Sequence, residues 1–304
     1  MGLPKISLVT PCFNSEKYLK HTLDSITAQT GNFGIEHVVV DGGSTDGTLK
    51  ILQQCGSQFT NIISEKDNGM YDALAKGFAQ TTGEIMGWLN TDDVYTPRAL
   101  ETVCQIFSQL PNVEWISTLN PVAIDPAGDI FKIRTIAGFS RQAFLDGIYV
   151  GFNGLNNPYA SDFIQQESTF WKRSLWERLG SDPFYYYRTD NKQAGDFGLW
   201  SMFAAEADLY GIEAPLGAWR MHSEQFTNEK DYMTEVELAL SKLRKNTNYT
   251  EKKEQHEGFS QYTGKYIIKS SPKDPLSSWK TIEKEFYVLP TSDIKKAIKM
   301  GQIF

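Results

Sequence analysis

Short apolar runs alternate with amphipathic stretches through the first 120 residues. Ile6–Thr10 (ISLVT) is compact and apolar and stops at Pro11, the pattern of a buried strand. Tyr18–Gln29 spaces Leu19, Leu23 and Ile26 as one face of a helix. Ile35–Val40 reads as a second strand closed by Asp41-Gly42-Gly43, and Thr48–Gln53 opens a second helix. Asn61–Ser64 is a short third strand, followed by a helix over Met70–Ala79 that Gly83 ends. Glu84–Leu89 is a fourth strand running into Asn90-Thr91-Asp92-Asp93. Pro97 suits the first turn of a helix reaching about Leu110, and Glu114–Ser117 is a further strand. Strands and helices in alternation, joined by short turns, predict an α/β fold: a doubly wound, mostly parallel sheet flanked by helices.

The pattern loosens after this. Residues 125–163 are rich in Gly, Asn and aromatics and give no assignable period. Ser174–Leu179 is a short helix closed by Gly180, and Phe197–Ala205 is a helix that starts just after Asp196. From about Lys230 the chain turns charged, helical over Met233–Arg244 and loop-like from Asn246 to Gly264. The expected organisation is one domain over 1–229 and a helical or irregular C-terminal extension over 230–304.

Composition narrows the class. A hydrophobic share of 40% and a charged share of 22% describe an ordinary globular protein. The net charge of −7 argues against nucleic-acid binding through a basic face. The charge is uneven, however: residues 230–304 carry 14 Lys/Arg against 10 Asp/Glu, which leaves a net of −11 on the rest. The basic tail is either a solvated helical face or a contact for an anionic membrane, the first being the commoner outcome. Cys12, Cys55 and Cys104 lack metal-ligand spacing and read as free thiols of a reducing cytoplasm. The N-terminus has no signal-peptide pattern, and no run approaches the ~18–20 apolar residues of a membrane span. A cytoplasmic protein is expected, with peripheral contact on the inner membrane face as the open option. The 13% aromatic content fits core filling or stacking surfaces for rings.

The candidate chemistry lies at strand ends. Asp41, Asp67 and Asp92-Asp93 each follow an apolar run. Carboxylates at neighbouring strand ends converge on the crevice where open α/β sheets bind ligands. They repel one another unless a cation or sugar hydroxyls intervene. The turn DGGSTDGT has neither the Lys of a P-loop nor the G-x-G-x-x-G spacing of a dinucleotide fold. In it Asp46 and Thr48 are read as turn builders. Adjacent side chains of an extended segment point opposite ways, so Asp92 and Asp93 can serve different ligand groups. Asp196 sets a carboxylate at the front of an apolar helix and by itself fits an ordinary helix cap. His222 fits a metal ligand, a phosphate donor or a core histidine, and Arg220 suits a diphosphate as a fork donor. His21, His37 and His256 have no partner pattern and read as structural or surface groups.

Taken together, seven ordered blocks resemble family 2 glycosyltransferases of the GT-A fold: TPCFNSEKYLKHTLDSI, VVVDGGSTDGT, SEKDNGMYDALAKG, GEIMGWLNTDD, QQESTFWKRSLWERLG, AGDFGLW and WRMHSEQ. They cover about residues 5–225. The resemblance implies a nucleotide-diphospho-sugar donor, transfer to an acceptor hydroxyl with inversion, and Mg²⁺ or Mn²⁺. It implies that Thr10, Pro11 and Phe13 line the nucleotide pocket, that Asp41 bonds the base, and that Asp67 lies under the base or near the ribose. Asp92 would contact ribose or donor sugar, and Asp93 would ligate the metal. His222 and Arg220 would approach the diphosphate, with His222 as a second metal ligand, and Asp196 would be the general base. The sequence departs from the family pattern at Asn90, where many members have Asp, and at Gly195, where an acidic residue often precedes the catalytic one.

The leading expectation is therefore a metal-dependent inverting glycosyltransferase acting on a glycan or lipid-linked acceptor in bacterial surface polysaccharide or glycan biosynthesis. The alternatives are a non-catalytic sugar-nucleotide-binding or scaffolding protein and a nucleotidyltransferase of similar fold. The latter normally needs a basic glycine-rich N-terminal loop, which TPCFNSEKY lacks. Residues 125–163 and Phe184–Tyr187 are expected to shape the acceptor side.

Overall fold

The structure, a computed structural model, describes residues 4–56, 59–150, 163–188, 192–224, 229–247, 249, 260–271, 273 and 277–288. Strands β1 (Ile6–Cys12), β2 (Ile35–Asp41), β3 (Asn61–Ser64) and β4 (Ile85–Trp88) alternate with helices α1 (Leu19–Thr27), α2 (Thr48–Gln54) and α3 (Met70–Phe78). After the short β5 (Val94–Tyr95) come α4 (Ala99–Gln109), β6 (Trp115–Thr118), β7 (Val122–Ile124), β8 (Ile130–Ile133) and α5 (Arg141–Leu145). Then follow β9 (Phe170–Lys172), α6 (Arg173–Arg178), α7 (Gly195–Glu206), β10 (Leu209–Ile212), β11 (Gly217–Arg220), α8 (Glu229–Asn246), β12 (Ser260–Lys269) and β13 (Trp279–Val288).

Nine strands form the main sheet in the order β13-β12-β10-β6-β9-β4-β1-β2-β3. β1, β2, β3 and β4 are mutually parallel, as are β6, β10 and β12, while β9 and β13 run antiparallel to their neighbours. This is the mostly parallel α/β sheet the alternation predicts. The strand order reverses between β1 and β4, which opens a crevice at their C-terminal ends. A second sheet, β5-β11-β7-β8, stands beside that crevice and carries the turn after β4 into β5.

Pleat alternation divides the core. Ile6 and Leu8 of β1 enter a cluster with α4 residues, while Val9 enters a second cluster with α3, α7 and α8. Trp88, Trp115, Trp171 and Trp200 meet in that second cluster, each no more than 1% exposed, with Trp88 and Trp200 stacked at 5.6 Å. Most of the aromatic surplus is therefore core. Tyr185 and Tyr186, at 70% and 71% exposure, are the most exposed of the described aromatics outside it.

The end of the loop expected over Asn246–Gly264 is strand from Ser260 on, while residues 250–259 of it lie outside the described residues. Helix α8 precedes it, and β12 and β13 form a hairpin that joins the main sheet through β10. Tyr262, Tyr266, Ile267 and Phe286 of the hairpin are buried. Flanking lysines and glutamates hide this alternation in the sequence. No described helix is long and apolar enough to cross a membrane. The three cysteines are free and buried.

Candidate active site

The turn after β4 is clamped by β11. Arg220, the last residue of β11, is 0% exposed. Its backbone N–H donates to Asp93 Oδ1 at 2.9 Å, and its Nε donates to the Asp92 carbonyl at 2.7 Å. The rest of the guanidinium meets the carbonyls of Asp125 and Pro126 and the Nδ1 of His21, and the group lies over the Tyr18 ring. The fork expected at a diphosphate is thus engaged inside the protein, where a buried cation needs every partner it has. Arg220 shapes the Asp92-Asp93 turn.

That clamp decides which aspartate faces the crevice. Asp93 is 1% exposed and bound to Arg220 N, with Asn90 Nδ2 at 3.5 Å from its other oxygen. Burial and then the neighbouring Asp92 and Glu167 charges push its carboxyl well above the ordinary range. Asp92 is the partly exposed member, and its Oδ2 sits 3.0 Å from His222 Nε2. Asp93 and His222, expected as metal ligands, are not hydrogen-bonded to each other: His222 meets Asp92, and Arg220 N takes one oxygen of Asp93. Of the three roles open to His222, burial among core side chains alone does not describe it. Tyr18 packs on its ring at 5.0 Å.

On the β1–β2 side, Thr10 turns its hydroxyl onto His37 Nε2 at 2.8 Å and is 0% exposed. Thr10 therefore lies in the core rather than lining a pocket with its side chain. Pro11 is buried and Phe13, at 63% exposure, stands at the rim. Asp41 is fully buried at the end of β2, where it accepts bonds from Gly43 N, Ser44 N and, at 2.8 Å, Ser64 Oγ. Asp67 lies beside it: a Cβ on Gly42 would come within 2.7 Å of Asp67 Oδ2. Burial raises Asp67 while the Gly69 N–H lowers it. Gly43, at φ 87°, lets the chain turn back here. Asp46 and Thr48 build the turn as expected, with Thr48 N donating to Asp46 Oδ1 at 2.9 Å.

Asp196 is the second residue of α7, and Ala194 holds the cap position. Asp196 is therefore not the helix cap. Its Oδ1 accepts from Phe197 N at 2.7 Å. Burial raises its carboxyl to about 6, opposed by that bond. Tyr71, Tyr187 and Tyr232 stand close enough that the Asp196 charge raises each of their hydroxyls. Gly195 has a steric reason: a Cβ there would meet the Tyr71 ring at 2.6 Å. No acidic residue fits at that position.

The sequence reading passed over Glu167. It lies on a 3-10 turn, Gln166–Ser168, held by Gln166 Nε2 on the Trp88 carbonyl at 2.8 Å and by Gly217 N on Ser168 Oγ at 2.8 Å. Its Oε1 accepts from Gln165 Nε2 at 2.6 Å. Burial lifts Glu167 to about 8, and the charges of both Asp92 and Asp196 add to the rise. Glu167 thus ties the carboxylates at the end of β4 and at the start of α7 into one electrostatic neighbourhood. A polar run of Gln165–Thr169 gave no hint that all five residues would be buried.

Asn90 Oδ1, Tyr95 Oη and Gln166 Oε1 are buried around this neighbourhood with no hydrogen-bond partner among the described residues. Buried polar atoms are rarely left so, and such a shell fits a polar ligand or ordered water. Among the described residues no group of three or more His, Cys, Asp or Glu is arranged to hold a metal ion. An oxygen and an imidazole nitrogen from Asp92 and His222 nonetheless fit a divalent ion that takes its other ligands from phosphates and water.

Comparison with known proteins agrees with this fold. Residues 7–120 match the family model described as glycosyl transferase family 2. An uncharacterized glycosyltransferase of Mycobacterium tuberculosis is 32% identical over 177 residues, 58% of this chain and 62% of that protein. One from Rickettsia prowazekii is 25% identical over 226 residues, 74% of this chain and 66% of that protein. The chain thus spans about 62% of the length of the first of these relatives. Among solved structures, Staphylococcus aureus TarS 1–349 in complex with UDP-GlcNAc superposes with a TM-score of 0.60 at 16% identity, covering 81% of this chain and 68% of TarS 1–349. The mannosyltransferase PcManGT from Pyrobaculum calidifontis, in complex with GDP-Man and Mn²⁺, gives 0.50 at 18% identity over 80% of this chain and 74% of its own. The strand order, the crevice at the β1–β4 reversal and the superpositions agree on the GT-A fold, and residues 7–120 match glycosyltransferase family 2.

Proposed function

We propose that the protein moves a sugar from a nucleotide-diphospho-sugar to an acceptor hydroxyl with inversion at the anomeric carbon. The observation that carries this reading is the pairing of Asp92 with His222 at 3.0 Å, in the same electrostatic neighbourhood as Asp196, whose carboxyl is raised to about 6. One group suits the leaving diphosphate and the other suits the incoming alcohol. The Asp196 carboxylate takes the acceptor O–H proton as the oxygen attacks the anomeric carbon. The bond from that carbon to the diphosphate breaks on the opposite face, and the nucleoside diphosphate leaves with the electron pair. Asp92 and His222 would hold Mg²⁺ or Mn²⁺, which supplies positive charge to the leaving group when bound. A hydrolytic glycosidase would instead need two carboxyl groups straddling the sugar.

Phe13 at the rim and Asp41 with Asp67 below it frame the nucleotide side in this reading. The acceptor is a glycan or lipid-linked hydroxyl of bacterial surface polysaccharide or glycan assembly, approaching from the side of exposed Tyr185 and Tyr186. Residues 151–162 of the other segment assigned to the acceptor, 125–163, lie outside the described residues. The test is nucleoside diphosphate release from UDP-GlcNAc, UDP-glucose and GDP-mannose, with Mn²⁺ and with a chelator. Metal-dependent release abolished by Asp196→Asn supports transfer. Tight nucleotide binding without release under any condition would make the protein a sugar-nucleotide binder.

A further inference from the structure

The start of α7, which carries Asp196, cannot cap itself. The first N–H groups of a helix have no partner within the helix. Ala194 at the cap has no side-chain acceptor, and the acceptor that α7 itself supplies, Asp196 Oδ1, takes the N–H of Phe197 further in. The missing acceptor comes from α8. Glu235 Oε2 accepts from Ala194 N at 3.0 Å and from Gln193 N at 3.1 Å. Its side chain is 13% exposed, with Lys192 Nζ at 3.9 Å. Val236, Ala239, Leu240 and Leu243 of α8 pack in the same core cluster as Phe197 and Leu199 of α7, so the two helices cannot shift independently. From the other side Tyr71 of α3 donates its hydroxyl proton to the Gln193 carbonyl at 3.0 Å and accepts from Asp196 N at 3.3 Å. The turn bearing Asp196 is gripped between α3 and α8.

We propose that Glu235 is a positioning residue for Asp196, so that helix α8, beyond the family-matched residues 7–120, is a working part of the active site. This rests on the reading of Asp196 as the general base. A base must hold its oxygen within about 0.5 Å of the productive position, and a helix start freed from its cap frays first. The Glu235 charge also adds to the rise of the Asp196 carboxyl. The other groups facing Asp196 are Tyr71 on α3, Tyr187, Tyr232 on α8 and Glu167 on its 3-10 turn.

The experiment uses the full chain with Mn²⁺ and the sugar nucleotide it turns over best among UDP-GlcNAc, UDP-glucose and GDP-mannose. Glu235→Ala should lower kcat about tenfold or more and leave the donor KM within about twofold. Glu235→Gln keeps an acceptor oxygen, so it should recover most of the loss while moving the acid limb of the pH profile downward. Asp196→Asn combined with Glu235→Ala should be no slower than Asp196→Asn alone. Wild-type turnover in Glu235→Ala overturns the proposal, as does a double variant slower than Asp196→Asn by the full Glu235→Ala factor. Hydrogen exchange over residues 193–197 gives a readout that needs no donor: Glu235→Ala should speed it, and unchanged exchange in a folded variant removes the clamp. A wild type that neither binds nor turns over any of these sugar nucleotides defeats the glycosyl-transfer reading instead, while the exchange result still decides the clamp.

Discussion

Buried carboxylates at the start of β2 and around the Asp92-Asp93 turn are treated in opposite ways. At the start of β2, Glu36 is 8% exposed and accepts from Thr82 N at 2.7 Å, Gly83 N at 3.0 Å, Ser7 Oγ at 2.8 Å and Lys5 Nζ at 3.0 Å. Burial alone would raise it, but these donors hold it down at about 2. Around the turn, Asp93, Glu167 and Asp196 receive fewer donors and face one another's charge, and all three are raised. Burial is common to both regions. What differs is the supply of N–H and O–H groups, and hence whether the negative form is welcome. The first arrangement is a structural knot, and the second is a strained site awaiting a proton, a cation or sugar hydroxyls.

Substitutions that neutralise a carboxylate should therefore act in opposite senses in the two regions. The largest effect is expected for Asp196→Asn, which should cut nucleoside diphosphate release by about 10²–10⁴-fold while the melting temperature holds or rises. A comparable fall in melting temperature would mean that Asp196 is another structural knot. Arg220→Met should cost about 3–5 kcal/mol in denaturant melts, because the Asp92 and Pro126 carbonyls lose their guanidinium donor and the Asp92-Asp93 turn is loosened.

Glu36→Gln should cost roughly 3 kcal/mol at neutral pH, from a carboxyl lowered from 4.5 to about 2. The sign follows from the lowered value: this stability is present above the ordinary carboxylate range and is lost as pH falls toward 2. The wild type should therefore lose more stability than Glu36→Gln between neutral pH and strong acid, and parallel curves would count against the knot. Glu167 has the reverse sign. Its carboxyl is raised to about 8, so the wild type is fully stabilised below the ordinary range and loses stability as pH climbs through 8. Glu167→Gln should flatten that alkaline decline, a melting difference of about 2–4 °C near pH 9 for ~1 kcal/mol. Turnover in the wild type should meanwhile rise with pH through about 6 as Asp196 ionises, and an acid limb absent from the profile would set Asp196 aside as the base. The smallest stability effect is expected for Tyr186→Ala, within about 0.5 kcal/mol, since that ring is 71% exposed and touches Lys242 Nζ at 4.6 Å. Its effect should fall on acceptor use, and identical kinetics with every acceptor would remove it from that surface.

Much of this could be read in the chain. The apolar runs of β1, β2 and β4 and the helical spacing of α1 and α3 are local patterns, and local patterns survive in sequence. So did the strand-end acids, because the crevice of an open α/β sheet lies at a fixed place relative to the strands. The roles within the acidic pair did not. Asp92 and Asp93 are neighbours of the same type, and only the arrival of β11 over a hundred residues later, with Arg220 N on Asp93, leaves Asp92 to face His222. Thr10 followed the same rule in reverse: the family resemblance implied a place lining the pocket, and His37 claimed its hydroxyl.

Sequence alone determined the alternating α/β architecture and the residue types available at its ligand-binding edge, since both follow from hydrophobic period and strand ends. The tertiary structure alone decided which carboxylates are satisfied and which are strained, because that depends on donors brought from distant segments: Thr82 and Gly83 to Glu36, Arg220 to Asp93, and Glu235 to the helix of Asp196. Hydrogen bonds between residues far apart in the chain leave no period for a sequence to display.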